Sequence, residues 1–422
     1  MNYTTALRPN TVKRLESINS ADILVGIPCF NNENTIANVI DMVSNGLNKH
    51  YRGARSVVFI SDGGSTDDTR DVAREHELFP WQEKIVQIYR GIGGKGSALR
   101  ALFEAAIILN VKACMVVDSD LRSISPDWVK WLLDPVLEKE FEFVAPVYNR
   151  YKYDGTITNN IVYNLTRALY GKRVRQPIGG DFTFSTELAK LYLEQPVWTS
   201  DIAKYGIDIW MTTNAITRGK RICQSNLGVK IHDAKDPTVS LGPMFVQVIG
   251  TLFELMEDNE PHWKSIERST TIPMFGSTED KEPEAVPIIV KNLINEFKVG
   301  FQQFKSLYRD IFSKDVFREL ERAAKTESRT FTLEIDIWVK VLYELAAIYH
   351  HWKSDRVRLI RLMVPLYFGR VGSFVNRTWE MSSVEAEVVV EQQAEAFEKN
   401  KKYLVEKWDT IREEPENFVE QC

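Results

Sequence analysis

The stretch Ala113-Cys114-Met115-Val116-Val117-Asp118-Ser119-Asp120 decides how this 422-residue chain folds. Five apolar residues in a row read as a strand buried on both faces, and two carboxylates one residue apart leave its end. At the carboxyl end of a strand the backbone stops pairing and side chains converge on a ligand, which is where open α/β sheets bind. Oxygen donors at this spacing suit Mg²⁺ or Mn²⁺, an ion that bridges protein carboxylates and phosphate oxygens.

Working outward, the same alternation repeats on both sides. Ile23 to Ile27, Val57 to Ile60 and Ile85 to Tyr89 read as strands, separated by helical stretches over 35–47, 67–76 and 95–109. Strands that alternate with helices predict parallel βαβ units and a doubly wound α/β sheet, and the apolar strands fit burial on both faces. A helical pattern returns over 159–171 and 201–217, with mixed turn and strand signals over 173–184 and a strand over 222–231. The charged, Pro-flanked run from Ser277 to Pro283 reads as exposed linker. Beyond it apolar residues recur at helical spacing over 290–312, 333–352, 357–367 and 384–403. The predicted organisation is therefore an N-terminal extension (1–20), an α/β domain (21–270), a linker (271–286) and an all-helical domain (287–422).

A net charge of −5 argues against a general nucleic-acid binder, which needs a basic face. Cys29, Cys114, Cys223 and Cys422 lack metal-ligand spacing, so they read as free thiols of a reducing compartment, and a cytoplasmic location is expected. The first twenty residues lack an apolar signal core. No run reaches the ~18 apolar residues that a membrane span needs. Trp338, Tyr343, Trp352 and Trp379 are expected in the core of the helical half. The run from Leu366 to Phe374 reads as a helix end packed on the α/β domain or on a second subunit, and a homodimer is expected.

Each predicted strand ends in a polar turn. The first runs into Pro28-Cys29-Phe30-Asn31-Asn32-Glu33, whose backbone is free to meet a nucleobase or ribose. The second ends in Asp62-Gly63-Gly64-Ser65-Thr66-Asp67-Asp68, where Asp62 is placed to accept bonds from a base edge and the glycines admit close approach. The third is Arg90-Gly91-Ile92-Gly93-Gly94-Lys95-Gly96, a glycine-rich turn similar to a phosphate cradle but without Walker spacing. Lys95 would set a positive charge beside a diphosphate or the nucleoside.

The order of these turns, closed by Asp118-Ser119-Asp120, resembles the GT-A (Rossmann-like) nucleotide-sugar-binding fold of family-2-like glycosyltransferases over about 23–232. A narrower resemblance lies in Gln176-Pro177-Ile178-Gly179-Gly180-Asp181-Phe182, in Tyr205-Gly206-Ile207-Asp208-Ile209, and in Asn226-Leu227-Gly228-Val229-Lys230-Ile231-His232. These look like the acceptor half of the glucosyl-3-phosphoglycerate synthase family, whose members are retaining enzymes.

That resemblance implies Mg²⁺ or Mn²⁺ on Asp120 and His232. It implies a nucleotide-diphosphate sugar (UDP- or GDP-glucose, or GDP-mannose) on Pro28, Cys29, Phe30, Asn32, Asp62, Lys95, Asp118, Ser119 and Asp208. Asp208 and Lys95 carry the catalytic assignment, with Asp208 orienting the donor sugar in place of the family's glutamate. Asp181 likewise replaces a glutamate, Asn32 a glutamate and Lys230 an arginine. Gly155, Thr156 and Thr158, with Gly180 and Asp181, are the implied acceptor residues.

Thr156 stands where the family carries an arginine, and a neutral hydroxyl cannot form bidentate bonds to phosphate. The expected acceptor is therefore D-glycerate, giving α-glucosylglycerate or its mannosyl analogue, a compatible solute by resemblance. Arg150, Lys152 and Arg173 could compensate for the lost charge, which keeps 3-phosphoglycerate as the alternative. Two further readings stand beside it. One is an inverting transferase with Asp208 as general base. The other is a non-catalytic nucleotide-sugar-binding protein.

Overall fold

A computed structural model describes residues 4–232, 237–277 and 282–410, with the side chains of 237–241 left aside. Cys422 and the Thr278-Glu279-Asp280 part of the expected linker lie outside the described residues.

The chain forms two compact units, one of 1–150, 174–235 and 271–283, the other of 151–173, 236–270 and 284–422. The helical unit thus also draws on 151–173 and 236–270, segments that the linear reading places in the α/β domain.

The first unit is built on an eight-stranded sheet. Its strands are β1 (Ile23–Cys29), β2 (Ser56–Asp62), β3 (Gln82–Ile88), β4 (Ala113–Val116), β5 (Phe143–Asn149), β6 (Phe182–Ser185), β7 (Ile222–Val229) and β8 (Met274–Gly276). They lie in the order β3-β2-β1-β4-β6-β5-β7-β8. The β1–β2, β2–β3 and β1–β4 pairs are parallel, as the alternating pattern predicts. β6 departs from it by running antiparallel to both β4 and β5. Between β5 and β6 the chain makes a long excursion through the helical unit instead of a βαβ crossover, so it re-enters the sheet at the end it left.

β1 and β2 are buried along their whole length, as strands covered on both faces must be. Edge strand β3 mixes buried and half-buried residues. The succession β1, β2, β3 runs one way from the centre while β4 lies on the other side of β1. Adjacent strand ends diverge at such a reversal and leave a crevice outside their carboxyl termini. The turns after β1 and β4 meet there.

Numbered along the whole chain, the helices begin with α1 (Pro9–Ile18), α2 (Ile36–His50), α3 (Thr69–Glu75), α4 (Lys95–Ile108) and α5 (Pro126–Lys139). Next come α6 (Tyr163–Tyr170), α7 (Thr186–Leu193), α8 (Ile207–Thr217), α9 (Pro237–Asp258) and α10 (Glu260–Ser265). The C-terminal region adds α11 (Val290–Gln303), α12 (Lys305–Ile311), α13 (Lys314–Lys325), α14 (Ile335–His351), α15 (Arg356–Thr378), α16 (Ser383–Lys399) and α17 (Lys401–Trp408).

α15 runs eleven residues past the expected stop at Tyr367. Gly369 and Gly372 serve as notches in it, since a Cβ there would lie 2.6 Å from Phe297 and 2.8 Å from Ile294 of α11. The Leu366–Phe374 run is accordingly interior to the helical unit, with Leu366, Tyr367, Val371 and Phe374 buried. Trp338, Tyr343 and Trp352 are core residues as expected, whereas Trp379 is 57% exposed, at the end of α15 where packing stops. Among the described residues no helix is long and apolar enough to cross a membrane.

Candidate active site

The turn after β1 is fixed by short polar contacts. Asn32 Oδ1 accepts from Phe30 N–H (3.0 Å) and from Ser119 Oγ (2.8 Å). Thr35 Oγ1 donates to the Ser119 carbonyl at 2.8 Å. Asn32 and Ser119 thus tie the β1 turn to the Asp118-Ser119-Asp120 turn. Pro28 and Cys29 are buried within the strand end, while the Phe30 ring is 59% exposed beside Gly63.

Asp62 is placed differently from the expectation that it reads a base edge. It is fully buried, and it accepts from the N–H groups of Gly64 (2.8 Å) and Ser65 (3.1 Å), with Arg70 at 3.6 Å. A short-chain carboxylate that opens a Gly-Gly-Ser turn satisfies the turn's own donors first. The glycine-rich turn before α4 is likewise pressed on protein. Added Cβ atoms at Gly94 and Gly96 would lie 2.6 Å from Lys204 and 1.9 Å from the Ile202 carbonyl, so these glycines seat the 202–204 backbone.

Lys95 opens α4 and reaches back to the β4 end. Its Nζ lies 2.8 Å from Asp118 Oδ1, 3.2 Å from Asp208 Oδ2 and 3.4 Å from the Gly180 carbonyl. The other Asp118 oxygen is 3.3 Å from Lys230 Nζ. Lys230, buried at the end of β7, also donates to the Gly179 carbonyl (3.1 Å) and to Asp181 Oδ2 (3.0 Å). Asp118 therefore bridges two ammonium groups, and two cations face the three carboxylates of Asp118, Asp181 and Asp208.

Burial works against the Lys95 charge, yet Asp118 and Asp208 hold the ammonium well above its ordinary range. Burial raises the Asp208 carboxyl, with Lys95 opposing and Asp118 reinforcing it. Asp208 Oδ1 is buried and makes no hydrogen bond.

Asp181, expected in the acceptor site, is fully buried and turned inward. Its Oδ1 accepts from Asp118 N–H at 2.8 Å, and its Oδ2 from Lys230 and from the Tyr148 hydroxyl. Gly180 sits directly against Asp118. Tyr148 was not anticipated from sequence, although its place near the end of β5, in the same sheet, is the signal that would have found it.

The backbone brings the segments that carry Asp120 and His232 together. Leu121 and His232 form an antiparallel bridge, Arg122 N–H donates to the Ile231 carbonyl (2.9 Å), and Ile231 N–H donates to Ser123 Oγ (2.8 Å). Asp120 precedes the bridge by one residue. One oxygen and one nitrogen donor fit Mn²⁺ or Mg²⁺. Among the described residues no group of three His, Cys, Asp or Glu side chains could hold a metal. Two protein donors alone would suit an ion whose remaining positions are filled by substrate oxygens, not a closed structural centre.

Gly155, Thr156 and Thr158 belong to the helical unit. Thr156 Oγ1 lies 2.6 Å from the Tyr367 hydroxyl, and Thr158 is buried at the start of a π-helical turn. Lys152 Nζ donates to the carbonyls of Thr378 (2.9 Å), Trp379 (3.0 Å) and Met381 (2.5 Å), and Arg173 Nε donates to Ser269 Oγ (2.9 Å).

The glycosyl transferase family 2 profile matches residues 24–196. Glucosyl-3-phosphoglycerate synthase of Mycobacterium tuberculosis is 30% identical over 270 residues, covering 59% of this chain and 78% of the relative. The chain belongs to the glucosyl-3-phosphoglycerate synthase family. It is a glycosyltransferase, and the binding-protein reading falls away.

A second family member, from Mycolicibacterium paratuberculosis, is 29% identical over 57% of this chain and 75% of its own. Among solved structures, the M. tuberculosis enzyme with Mg²⁺ and UDP is 29% identical, with a TM-score of 0.44, covering 60% of this chain and 86% of that one. Its complex with Mn²⁺, UDP-glucose and phosphoglyceric acid is 27% identical, with the same TM-score and coverage.

Proposed function

We propose that this family member moves glucose from a nucleotide-diphosphate glucose to the hydroxyl of a three-carbon acid, with retention at the anomeric carbon. The observation that carries the reading is the convergence of Lys95, Asp118 and Asp208 at the carboxyl end of β4. Asp208 would accept a hydroxyl bond from the hexose, and Asp118 and Lys95 would fix its orientation. Phe30, Pro28, Cys29 and Asn32 line the β1 turn where the nucleoside would lie, with Ser119 tied to it.

Asp120 and His232 would hold Mg²⁺ or Mn²⁺, which when bound supplies Lewis-acid neutralisation of the leaving diphosphate. Asp118 and Asp208 favour the Lys95 ammonium, whose part would be to stabilise negative charge. Holding the acceptor hydroxyl on the leaving-group face of the donor, where the departing diphosphate would take its proton, supplies much of the remaining rate. In an inverting reaction Asp208 would be the base, and product stereochemistry separates the two outcomes.

3-Phosphoglycerate is the acceptor named for the curated relatives and is the one we favour. One observation supports D-glycerate as a second reading. Lys152, a cation near the Gly155–Thr158 segment, is consumed by three backbone carbonyls, and Thr156 is held by Tyr367.

The test crosses UDP-glucose, GDP-glucose and GDP-mannose with both acids in Mn²⁺ or Mg²⁺, and product anomers are read by proton NMR. An α-product on 3-phosphoglycerate is expected. An α-product on glycerate alone would move the acceptor, and a β-product would replace retention by inversion.

A further inference from the structure

Beneath Asp118 lies a second tier of polar side chains that faces no solvent. Asp181 is 0% exposed, and Tyr148 and Lys230 are 5% exposed each. Buried groups of this kind are costly unless every one is paired. Here each has a partner. Asp181 takes the Asp118 N–H on one oxygen, and Lys230 and the Tyr148 hydroxyl on the other. Lys230 adds Asp118 Oδ2 and the Gly179 carbonyl, and its ammonium stands 4.5 Å above the Tyr148 ring.

We propose that Tyr148, Asp181 and Lys230 form a buried positioning unit that aims the Asp118 carboxylate and, through it, the Lys95 ammonium at the hexose of the donor. This rests on the reading that Lys95, Asp118 and Asp208 meet the sugar.

Two arguments carry it. The first is geometric. Val116 is the last β4 residue paired with β6, and the Val117 N–H is held by the Gly26 carbonyl. Beyond that point the Asp118 N–H has left the ladder, and Asp181 Oδ1 fixes this peptide at 2.8 Å. The second is electrostatic. Asp118 is shared between Lys95 at 2.8 Å and Lys230 at 3.3 Å. What Lys230 draws from Asp118 depends on how fully Asp181 satisfies it. Weakening Asp181 turns Lys230 toward Asp118 and loosens the Lys95–Asp118 pair without any substitution in the upper tier. Tyr148 sets that balance because its hydroxyl shares Asp181 Oδ2 with Lys230. None of the three is placed to touch the reacting atoms, so they are positioning residues.

The experiment compares wild type, Tyr148→Phe and Asp181→Asn by calorimetry with Mn²⁺ plus UDP and with Mn²⁺ plus UDP-glucose, beside turnover. Tyr148→Phe keeps the ring under Lys230 and deletes one hydroxyl, so it still decides the matter if Asp181→Asn fails to fold. For Tyr148→Phe we expect UDP affinity within about twofold of wild type, UDP-glucose affinity lowered about fivefold, and turnover lowered about tenfold. Equal weakening toward UDP and UDP-glucose, or no change in either, would overturn the proposal, because a merely structural role moves both together. A wild type that binds UDP-glucose no better than UDP would overturn it together with the hexose placement. A wild type that shows the UDP-glucose preference but transfers to neither acid would overturn the acceptor reading alone.

Discussion

Gly180 and Asp118 are moulded on each other: a Cβ on Gly180 would lie 2.2 Å from Asp118 Oδ2, and the Gly180 backbone has φ +92°. The contact explains the second glycine of the turn before β6; the first, Gly179, is needed because a Cβ there would lie 2.3 Å from Pro146. The contact lets the Gly179 and Gly180 carbonyls flank the Asp118 carboxylate, one accepting from Lys230 and the other from Lys95.

Gly180→Ala is therefore expected to act on the site more than on the fold. The left-handed backbone costs a non-glycine residue about 1–3 kcal/mol, and the methyl also displaces a carboxylate that two lysines hold. Transfer should fall about a hundredfold or more while circular dichroism at 20 °C stays unchanged. Activity within a few-fold of wild type would show that Asp118 can move without consequence.

Asp208→Asn keeps the shape and removes the charge that faces Lys95. Loss of a preorganised electrostatic contact predicts a fall in turnover of about 10²–10³. Because burial raises the Asp208 carboxyl above its ordinary 3.8, ionised Asp208 opposes folding. Between that value and the raised one the native state binds more protons than the unfolded state, so this group's contribution to stability declines as pH rises. Asp208→Asn should lack that decline. Urea melts of both proteins from pH 4 to 7 check it, and a wild-type curve parallel to the variant's would refute the linkage.

Much of the sheet was legible because buried parallel strands are contiguous apolar runs, and Ala113 to Val117 is one. β6 was not, since its direction depends on the long excursion before it and not on anything local in Phe182-Thr183-Phe184-Ser185. The site was legible as a set of strand ends but not in its depth. Asp62, Asp118 and Asp181 look alike in sequence. Only packing shows that Asp62 serves its own turn, Asp118 faces two lysines and Asp181 lies beneath. Tyr148 carried no motif, and the Lys152 ammonium, offered as a phosphate ligand, turned out to serve the end of α15.

The Asp120–His232 pair predicts strong metal dependence that substrate reinforces. Two protein donors make a weak site alone, so Mn²⁺ affinity should rise at least tenfold when UDP is present. His232→Ala should abolish that gain and lower transfer about a hundredfold, and EDTA should stop the wild type reversibly. Titration of Mn²⁺ by calorimetry with and without UDP is the check. Equal Mn²⁺ affinity in the two conditions would place the ion elsewhere.

Lys401 gives the helical unit an alkaline signature. Burial lowers its ammonium from 10.5 to about 8, with Glu398 opposing, and its Nζ donates to the Ile266 carbonyl. Between those two values the unfolded chain binds the proton and the native chain does not. Stability contributed by this group therefore rises with pH across that window. Lys401→Met should remove the rise. The melting temperature of wild type relative to the variant should accordingly rise from pH 8 to 10. A constant difference would mean that the ammonium stays protonated in the fold.

Lys152 separates the acceptor readings without touching the donor half. Its three bonds to the carbonyls of Thr378, Trp379 and Met381 cap the end of α15, and charge-assisted bonds of this kind are each worth about 1.5–3 kcal/mol before side-chain entropy. Lys152→Met should therefore lower stability by about 2–4 kcal/mol, seen as a clear fall in melting temperature. Because the ammonium is already spent on backbone, the ratio of kcat/KM for 3-phosphoglycerate to that for glycerate should not change. Thr156→Arg makes the opposite prediction. It breaks the Tyr367 contact and restores a guanidinium where the family carries one, so that ratio should rise about tenfold with only a modest loss of stability. If Lys152→Met moves the ratio and Thr156→Arg does not, the phosphate is read by Lys152, and the Thr156 segment has no part in choosing the acceptor.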